Sequence, residues 1–199
     1  MLAEMGYRLT LVDVSSESVE VAKRKARVRQ LSIEALQGNV EKTELPSGSF
    51  DFVLSQGPMS YTPHPDEMLK EMNRLLKAGG LMWLEFYNAL GWAIENSSLT
   101  FKLQSATEEE NLIRMSDWDY PARIFSTTRV SELCNSAGFE VQRFFGNHVL
   151  MSSIPMDRIY SHQFESADLE LLKEAELRLS KRPDCVGASK ICQALVKKI

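Results

Sequence analysis

The polar side chains best suited to chemistry in this 199-residue sequence follow short apolar runs instead of lying within them. Asp13 ends the run RLTLVD, Asn39 follows LSIEALQ, and Gln56 ends FDFVLSQ. In a parallel sheet, ligands bind beyond the carboxyl ends of the strands, where the strand order reverses. We therefore predict that these three residues share one binding edge. The residue after each completes the predicted set: Val14, Val40 and Gly57.

Asp13 is open to two interpretations. A carboxylate at the end of such a strand commonly accepts hydrogen bonds from both hydroxyls of a ribose, because its two oxygens match that vicinal pair. It can equally cap the next helix, since Ser15 and Ser16 follow it. In dinucleotide-binding folds, the acidic residue lies about 20 residues after a glycine-rich turn. Counting back from Asp13 passes Met1, so we expect that turn and the strand before it to lie upstream.

Few side chains are candidates for acid–base catalysis or metal binding. Tyr61 and His64 follow the third run and are weak candidates for a general base, a role needed only when a bound substrate holds its proton tightly. His64, between two prolines, is more simply an exposed turn residue, and Tyr61 more simply packs or donates one hydrogen bond to a ligand. The three cysteines form no CxxC pair, which predicts neither a disulfide scaffold nor a metal site.

Hydrophobic periodicity predicts strands that alternate with helices. The run 81–87 is nearly continuous in apolar residues, as in a strand covered on both faces. This order indicates an α/β fold with a parallel sheet. The predicted strands are 8–14, 31–37, 50–56, 81–87, 139–146 and 189–196, and the predicted helices are 15–29, 62–77, 126–137 and 167–180.

The regular pattern is interrupted between Ala89 and Phe125. This segment is too long for a simple connection, which predicts that it has structure of its own or covers a site. We expect its acidic run, residues 108–110, to form a solvated face. Its aromatic residues can line an acceptor pocket or bury a small core of the insertion itself: Trp92, Phe101, Trp118 and Tyr120.

The composition excludes several classes of partner. The 23 Lys and Arg residues against 27 Asp and Glu give a formal net charge of −4, which offers no general attraction to nucleic acid or anionic membranes. No apolar run approaches the ~20 residues that cross a bilayer, and the first residues lack a signal-peptide pattern. We expect a cytoplasmic protein with neither a nucleic-acid nor a membrane partner.

Longer segments add a family resemblance. RLTLVDVSSESVEVAKRKA, LQGNVEKTELPSGSFDFVLSQGPMSY and DEMLKEMNRLLKAGGLMWLE, in this order and spacing, resemble the class I S-adenosylmethionine-dependent methyltransferases, in particular the ubiquinone-biosynthesis-like, type 11 group. FSTTRVSELCNSAGFEVQRFFG is similar to that group's closing helix and strand. The resemblance implies an α/β, Rossmann-like sheet, mostly parallel with an antiparallel final strand and truncated at its N-terminus. It also implies a single domain over 1–199, with a cofactor-binding part (1–88), an insertion or lid (89–125) and C-terminal helices and strands (126–199).

The resemblance implies S-adenosyl-L-methionine as cofactor and a small molecule as methyl acceptor. It assigns cofactor contacts to three pairs of residues: Asp13 and Val14, Asn39 and Val40, and Gln56 and Gly57. The first pair would contact the ribose and adenine, the second the adenine amino group, and the third the methionine part and the substrate. The family's glycine-rich loop, which contacts the methionine carboxylate and the ribose, is absent, so impaired activity is part of the expectation.

Two other functions share these features. The chain can be a non-catalytic remnant that keeps the methyltransferase fold and binds a partner, or a nicotinamide-dependent oxidoreductase that uses Asp13 for its ribose. If a central strand is missing, the open strand edges predict poor solubility or self-association.

Overall fold

The computed structural model describes residues 2–95, 103, 108–114, 121–151, 154 and 166–199. In chain order, a 3-10 turn (Ala3–Met5) is followed by β1 (Leu9–Asp13), α1 (Ser16–Val28), β2 (Ile33–Gln37), β3 (Phe50–Ser55), α2 (Pro58–Tyr61), α3 (Pro65–Leu75), β4 (Leu76–Asn88), α4 (Ala89–Glu95), β5 (Glu110–Arg114), β6 (Pro121–Phe125), α5 (Thr127–Ser136), β7 (Phe139–Asn147), α6 (Ser166–Leu179), α7 (Pro183–Val186) and β8 (Ile191–Lys198). The alternation of strands and helices that the sequence predicted is confirmed.

The strands form two separate sheets. β1 pairs in parallel with β2 in a two-stranded sheet. The other six form a mixed sheet in the order β5-β6-β4-β8-β7, with β3 parallel to β4. β8 runs antiparallel to both β4 and β7, as the resemblance implied for the final strand. The Rossmann-like α/β architecture is thus present in two parts.

The core lies on the six-stranded sheet. Alternate residues of β4 (Met82, Leu84 and Phe86) are fully buried. Helix α3 begins at a proline, whose fixed φ suits the first helical position, and its apolar stripe, which includes Met68 and Leu69, packs on this sheet. A stripe of this spacing must be covered, so α3 is held on the sheet by burial of its apolar face.

The structure differs from the predicted helix 62–77 at its end. Helix α3 stops at Leu75, and Leu76 is already extended, fully buried and paired with Phe50 of β3. The Gly79-Gly80 pair, predicted as the helix stop, lies inside β4, where a Cβ at Gly80 would be 3.0 Å from the Lys77 carbonyl oxygen. Gly80 therefore serves a close backbone approach within an irregular strand, while Gly79 adopts φ +71°, a conformation that favours glycine.

The described part of the insertion extends the main sheet. β6 lies parallel to the end of β4, and β5 pairs antiparallel with β6. The predicted solvated face holds for Glu108 and Glu109, which are exposed, but Glu110 is half-buried and forms ion pairs with Arg123 at 2.7 Å and Arg129 at 3.2 Å. The pairing of two strands with the sheet brings these charges together, which the linear sequence does not reveal.

A cleft separates the two sheets. It has a volume of about 1060 Å³ and is lined by the first residues of β1, β2 and β3 and by part of the β2–β3 loop. Within the described part of the chain, β1 pairs only with β2 and β3 only with β4. Phe52 and Leu54 of β3 remain 46% and 45% exposed. The free sides of β1 and β3, which face the cleft, thus carry apolar residues of the kind found in central strands of a sheet and not in edge strands.

The loop between β2 and β3 fastens the small sheet to the large one. Glu71 of α3, only 7% exposed, accepts hydrogen bonds from the Thr43 N–H at 2.8 Å and the Thr43 hydroxyl at 2.7 Å. Arg74 donates to Glu71 at 2.7 Å and to the Leu45 carbonyl at 2.7 Å. These bonds, and not a shared strand ladder, tie the loop to α3.

Among the residues described, no helix is both long and apolar enough to cross a bilayer.

Candidate functional site

Asp13 lies at the carboxyl end of β1 and uses one oxygen to shape the following turn. The Ser15 N–H donates to its Oδ1 at 2.8 Å, while the Ser15 hydroxyl caps α1 by accepting from the Ser18 N–H at 3.1 Å. The capping role is therefore filled by Ser15. No described residue donates to the second carboxylate oxygen of Asp13, so that oxygen can accept a hydrogen bond from a ligand.

The loop after β2 is joined to the end of β1. The Gly38 N–H donates to the Asp13 carbonyl at 3.0 Å, and the Gln37 side chain donates to the Val14 carbonyl at 3.1 Å. Asn39 is exposed, and its Oδ1 accepts the Glu41 N–H at 2.9 Å, which fixes its side chain in a tight turn.

The apolar neighbours of these residues differ in burial. Val14 is 75% exposed beside Asp13, whereas Val40 is half-buried and packs against the main core. Val14 thus offers an apolar surface that a flat ring can cover, and Val40 anchors the loop that carries Asn39.

The loop after β3 contains a short helix, α2, that the sequence pattern did not predict. Gly57 has φ +93°, a conformation that favours glycine, and Pro58 then begins α2. A glycine directly before a proline was the available signal, because proline suits the first position of a helix.

Gln56 is exposed, and the hydroxyl of Ser55, a residue only 4% exposed, has no hydrogen-bond partner among the described residues. An unpartnered buried polar atom at this edge is consistent with a nearby ligand.

A hydrogen bond connects the second loop to the third. The Thr62 hydroxyl donates to the Glu41 carboxylate, and the same hydroxyl accepts the His64 N–H at 3.2 Å. The loops after β1, β2 and β3 are therefore joined into one edge, which brings together the surroundings of all six predicted cofactor residues. Neither Glu41 nor Thr62 was singled out in the sequence, because their contact spans two loops.

The weak catalytic candidates lie in different surroundings. The Tyr61 and Tyr87 hydroxyls are 2.6 Å apart, and the Tyr87 ring lies 5.6 Å from that of Trp92. Burial, assisted by the Tyr61 hydroxyl, raises the pKa of Tyr87, so its phenol stays protonated at neutral pH. His64 is exposed at the start of α3 and makes no side-chain capping bond there. The pair of phenols can orient a polar group of an acceptor.

Asn88, at the end of β4, has an internal role, and most of the aromatic residues named within 89–125 are not described. The Asn88 side chain, 2% exposed, donates to the carbonyls of Gly187 at 2.8 Å and Ser189 at 2.7 Å. Trp92 is half-buried, while Phe101, Trp118 and Tyr120 lie outside the described residues. No group of three or more metal-ligating side chains occurs in the described part of the chain.

Comparison with known proteins gives this edge a family context. Residues 1–84 match the profile of the family described as "Methyltransferase domain". A 2-methyl-6-phytyl-1,4-hydroquinone methyltransferase from rice is 33% identical over 76 residues, which are 38% of this chain and 22% of that protein. A ubiquinone biosynthesis O-methyltransferase from Coxiella burnetii is 24% identical over 147 residues, 74% of this chain and 60% of that protein.

A solved structure shares the fold along the whole chain. The S-adenosylmethionine-dependent methyltransferase from Methanosarcina mazei aligns with a TM-score of 0.65 and 18% identity, covering 100% of this chain and 85% of its own. This chain is thus similar in sequence to a methyltransferase domain over residues 1–84, and similar in fold to an S-adenosylmethionine-dependent methyltransferase. It spans 22% and 60% of the lengths of the two curated methyltransferases named above.

S-adenosyl-L-methionine is the cofactor that these similarities imply, and the residues of the edge suit its nucleoside half. The Asp13 carboxylate has an oxygen for ribose hydroxyls, and the Asn39 amide is held at the end of the neighbouring strand. For the methionine carboxylate, which the glycine-rich loop contacts in the family, the described residues supply no such loop before β1. The fit is therefore with the adenosine part, and the roles of the six residues stay predictions.

Proposed function

We propose that this chain binds S-adenosyl-L-methionine at the edge formed by the loops after β1, β2 and β3, and that it transfers the methyl group to a small-molecule acceptor. The observation that supports this most directly is the set of hydrogen bonds that joins the loops after β1, β2 and β3, namely Gly38 to Asp13 and Thr62 to Glu41. In this proposal Asp13 accepts from the ribose, Asn39 contacts the adenine, and Gln56 and Gly57 face the methionine part.

The acceptor would lie against the phenol pair. The bound sulfonium supplies an activated methyl group, so the protein mainly has to hold the acceptor in line and exclude water. Tyr61 and Tyr87 are placed at the carboxyl side of β3 and β4, where a hydroxyl of the acceptor could bond to them. The names of two relatives, one a hydroquinone methyltransferase and one from ubiquinone biosynthesis, support a small aromatic acceptor.

Calorimetric titration of the 199-residue chain with S-adenosylmethionine tests the proposal. We expect saturable binding that Asp13→Asn weakens roughly 10- to 100-fold, because a hydrogen bond to a charged group is lost. The asparagine keeps an oxygen for the Ser15 N–H, so the turn is preserved. Asp51→Asn is the matched control, since Asp51 is an exposed carboxylate at the opposite end of β3.

Two outcomes would contradict the proposal. If wild-type protein releases no heat with S-adenosylmethionine, the chain is a non-catalytic member of the fold, an alternative that the open cleft between β1 and β3 favours. If the chain binds NAD and not S-adenosylmethionine, the nicotinamide-dependent alternative replaces it. Equal losses in Asp13→Asn and Asp51→Asn would remove Asp13 from the site.

We also propose a cytoplasmic location. Cys134 and Cys192 are both buried free thiols, and burial raises the pKa of Cys134 to about 12 and that of Cys192 to about 11. Thiols kept in this state are usual in a reducing compartment.

A further inference from the structure

We propose that Thr62 is a positioning residue for cofactor binding, which acts through Glu41 on Asn39; this inference rests on the proposed function. Thr62 is 7% exposed and lies between α2 and α3, so its side chain is not placed to touch a ligand itself. Its hydroxyl instead links the turn that carries Asn39 to the helices of the large sheet.

Three hydrogen bonds in series form this link. The His64 N–H donates to the Thr62 hydroxyl at 3.2 Å, that hydroxyl donates to the Glu41 carboxylate, and the Glu41 N–H donates to Asn39 Oδ1 at 2.9 Å. All three bonds point the same way along the series, from His64 through Thr62 and Glu41 to Asn39. Because the hydroxyl donates to Glu41, a valine at position 62 would break the series at its middle.

The link matters because the turn has few other supports. β2 is held by β1, which is itself not paired with the large sheet among the described residues. Without the bond from Thr62, the Asn39 turn would be fixed to the large sheet only further along the loop and by the packing of Val40. A loop held at one end samples more conformations, and ordering it on binding costs affinity.

The same loop offers a matched comparison. Thr43 also donates its hydroxyl to a glutamate of the large-sheet side, Glu71, at 2.7 Å. Both threonines therefore make a threonine–carboxylate bond across the same boundary. Only the bond of Thr62 leads directly to Asn39, whereas that of Thr43 ends at α3, away from the predicted adenine contact.

The experiment measures S-adenosylmethionine affinity by calorimetry for wild type, Thr62→Val, Thr62→Ser and Thr43→Val. We expect Thr62→Val to weaken binding about five- to tenfold, as expected for a lost hydrogen bond. Thr62→Ser keeps the hydroxyl and is expected to bind as wild type does. Thr43→Val is expected to leave the affinity within about twofold, although it also loses a bond that fastens the loop.

Hydrogen exchange without ligand provides a second readout. Thr62→Val is expected to speed exchange at the amides of residues 38–42 and to leave those of β8 unchanged, which also shows that the variant is folded. Equal effects of Thr62→Val and Thr43→Val on affinity, or wild-type affinity in Thr62→Val, would overturn the inference while wild-type binding still supports the proposed function. Absence of binding to the wild-type protein would overturn the proposed function and this inference with it.

Discussion

Each sheet of this protein contains a parallel strand pair, β1–β2 in one and β3–β4 in the other, but the two sheets differ in how they are covered. In the six-stranded sheet, Leu84 and Phe86 of β4 are fully buried, with β3 on one side and β8 on the other. In the two-stranded sheet, Leu11 of β1 remains 37% exposed, and β1 has one strand neighbour among the described residues. The difference teaches that an apolar strand sequence is equally compatible with a covered and an uncovered position, and neighbours decide which it takes.

The largest test of this comparison is truncation of one side chain in each sheet. Phe86→Ala should lower the free energy of unfolding by about 3–5 kcal/mol, because it empties a filled position that packs edge-on against Phe144. Leu11→Ala should cost less than about 1 kcal/mol, since that side chain is already partly in water. Urea titrations of both variants measure this. Equal costs would mean that the two sheets are covered alike.

The next effect concerns the Glu71–Arg74 ion pair within α3, both members of which also hydrogen-bond to the loop after β2. Hydrogen bonds from the Arg74 guanidinium, followed by those from Thr43, lower the pKa of Glu71 to about 2 from its usual 4.5. A carboxyl whose folded pKa is lowered stabilises the protein fully above its unfolded pKa and loses this contribution as pH falls toward the folded value. We expect a loss on the order of 2–3 kcal/mol between pH 5 and pH 2.

Urea titrations across this pH range check the effect with a matched pair of variants. Glu71→Gln should be less stable than wild type at pH 7 and should show a flatter pH dependence. Asp51→Asn is the control, because its carboxyl also has a lowered pKa, through Lys77, but is fully exposed. If the free energy of unfolding of Glu71→Gln depends on pH as steeply as that of the wild type, the Glu71 charge does not stabilise the contact between α3 and the loop.

The smallest effect concerns the edge of β3 that faces the cleft. Phe52 and Leu54 are both about half exposed beside an edge without a strand partner among the described residues, a surface that favours association between copies. Sedimentation velocity over a range of concentrations should show self-association that Phe52→Lys reduces. Leu171→Lys, at a more exposed apolar residue of α6, should not reduce it. A wild-type protein that stays monomeric throughout would contradict this expectation.

Much of the fold follows from local patterns. The apolar runs that end at Asp13 and Ser55 form strands because buried β-formers leave few alternatives, and α1 starts where Ser15 can cap it. The strand ends also predicted where the candidate site lies. The end of α3 was missed, because burial of Leu76 against β3 outweighed the glycine pair as a stop signal.

The links within the site had no local signal. The bond from Thr62 to Glu41 joins residues 21 positions apart, and Asn88 turns inward to carbonyls about 100 positions away. Such bonds depend on which loops meet after the sheets have formed. Periodicity and capping rules describe residues that are close in the chain, so they do not predict hydrogen bonds between distant loops.

The sequence by itself predicted the alternation of strands and helices outside residues 89–125, the family resemblance and three strand ends as candidate cofactor contacts. These features depend on side-chain periodicity and on residue types at strand ends, both of which are local. Only the tertiary structure decided that the strands divide into two sheets, that Glu71 and Arg74 bond to the loop after β2, and that the Thr62 hydroxyl donates to Glu41. Those outcomes depend on burial and on hydrogen bonds between distant segments, whose energies exist only once the chain has packed.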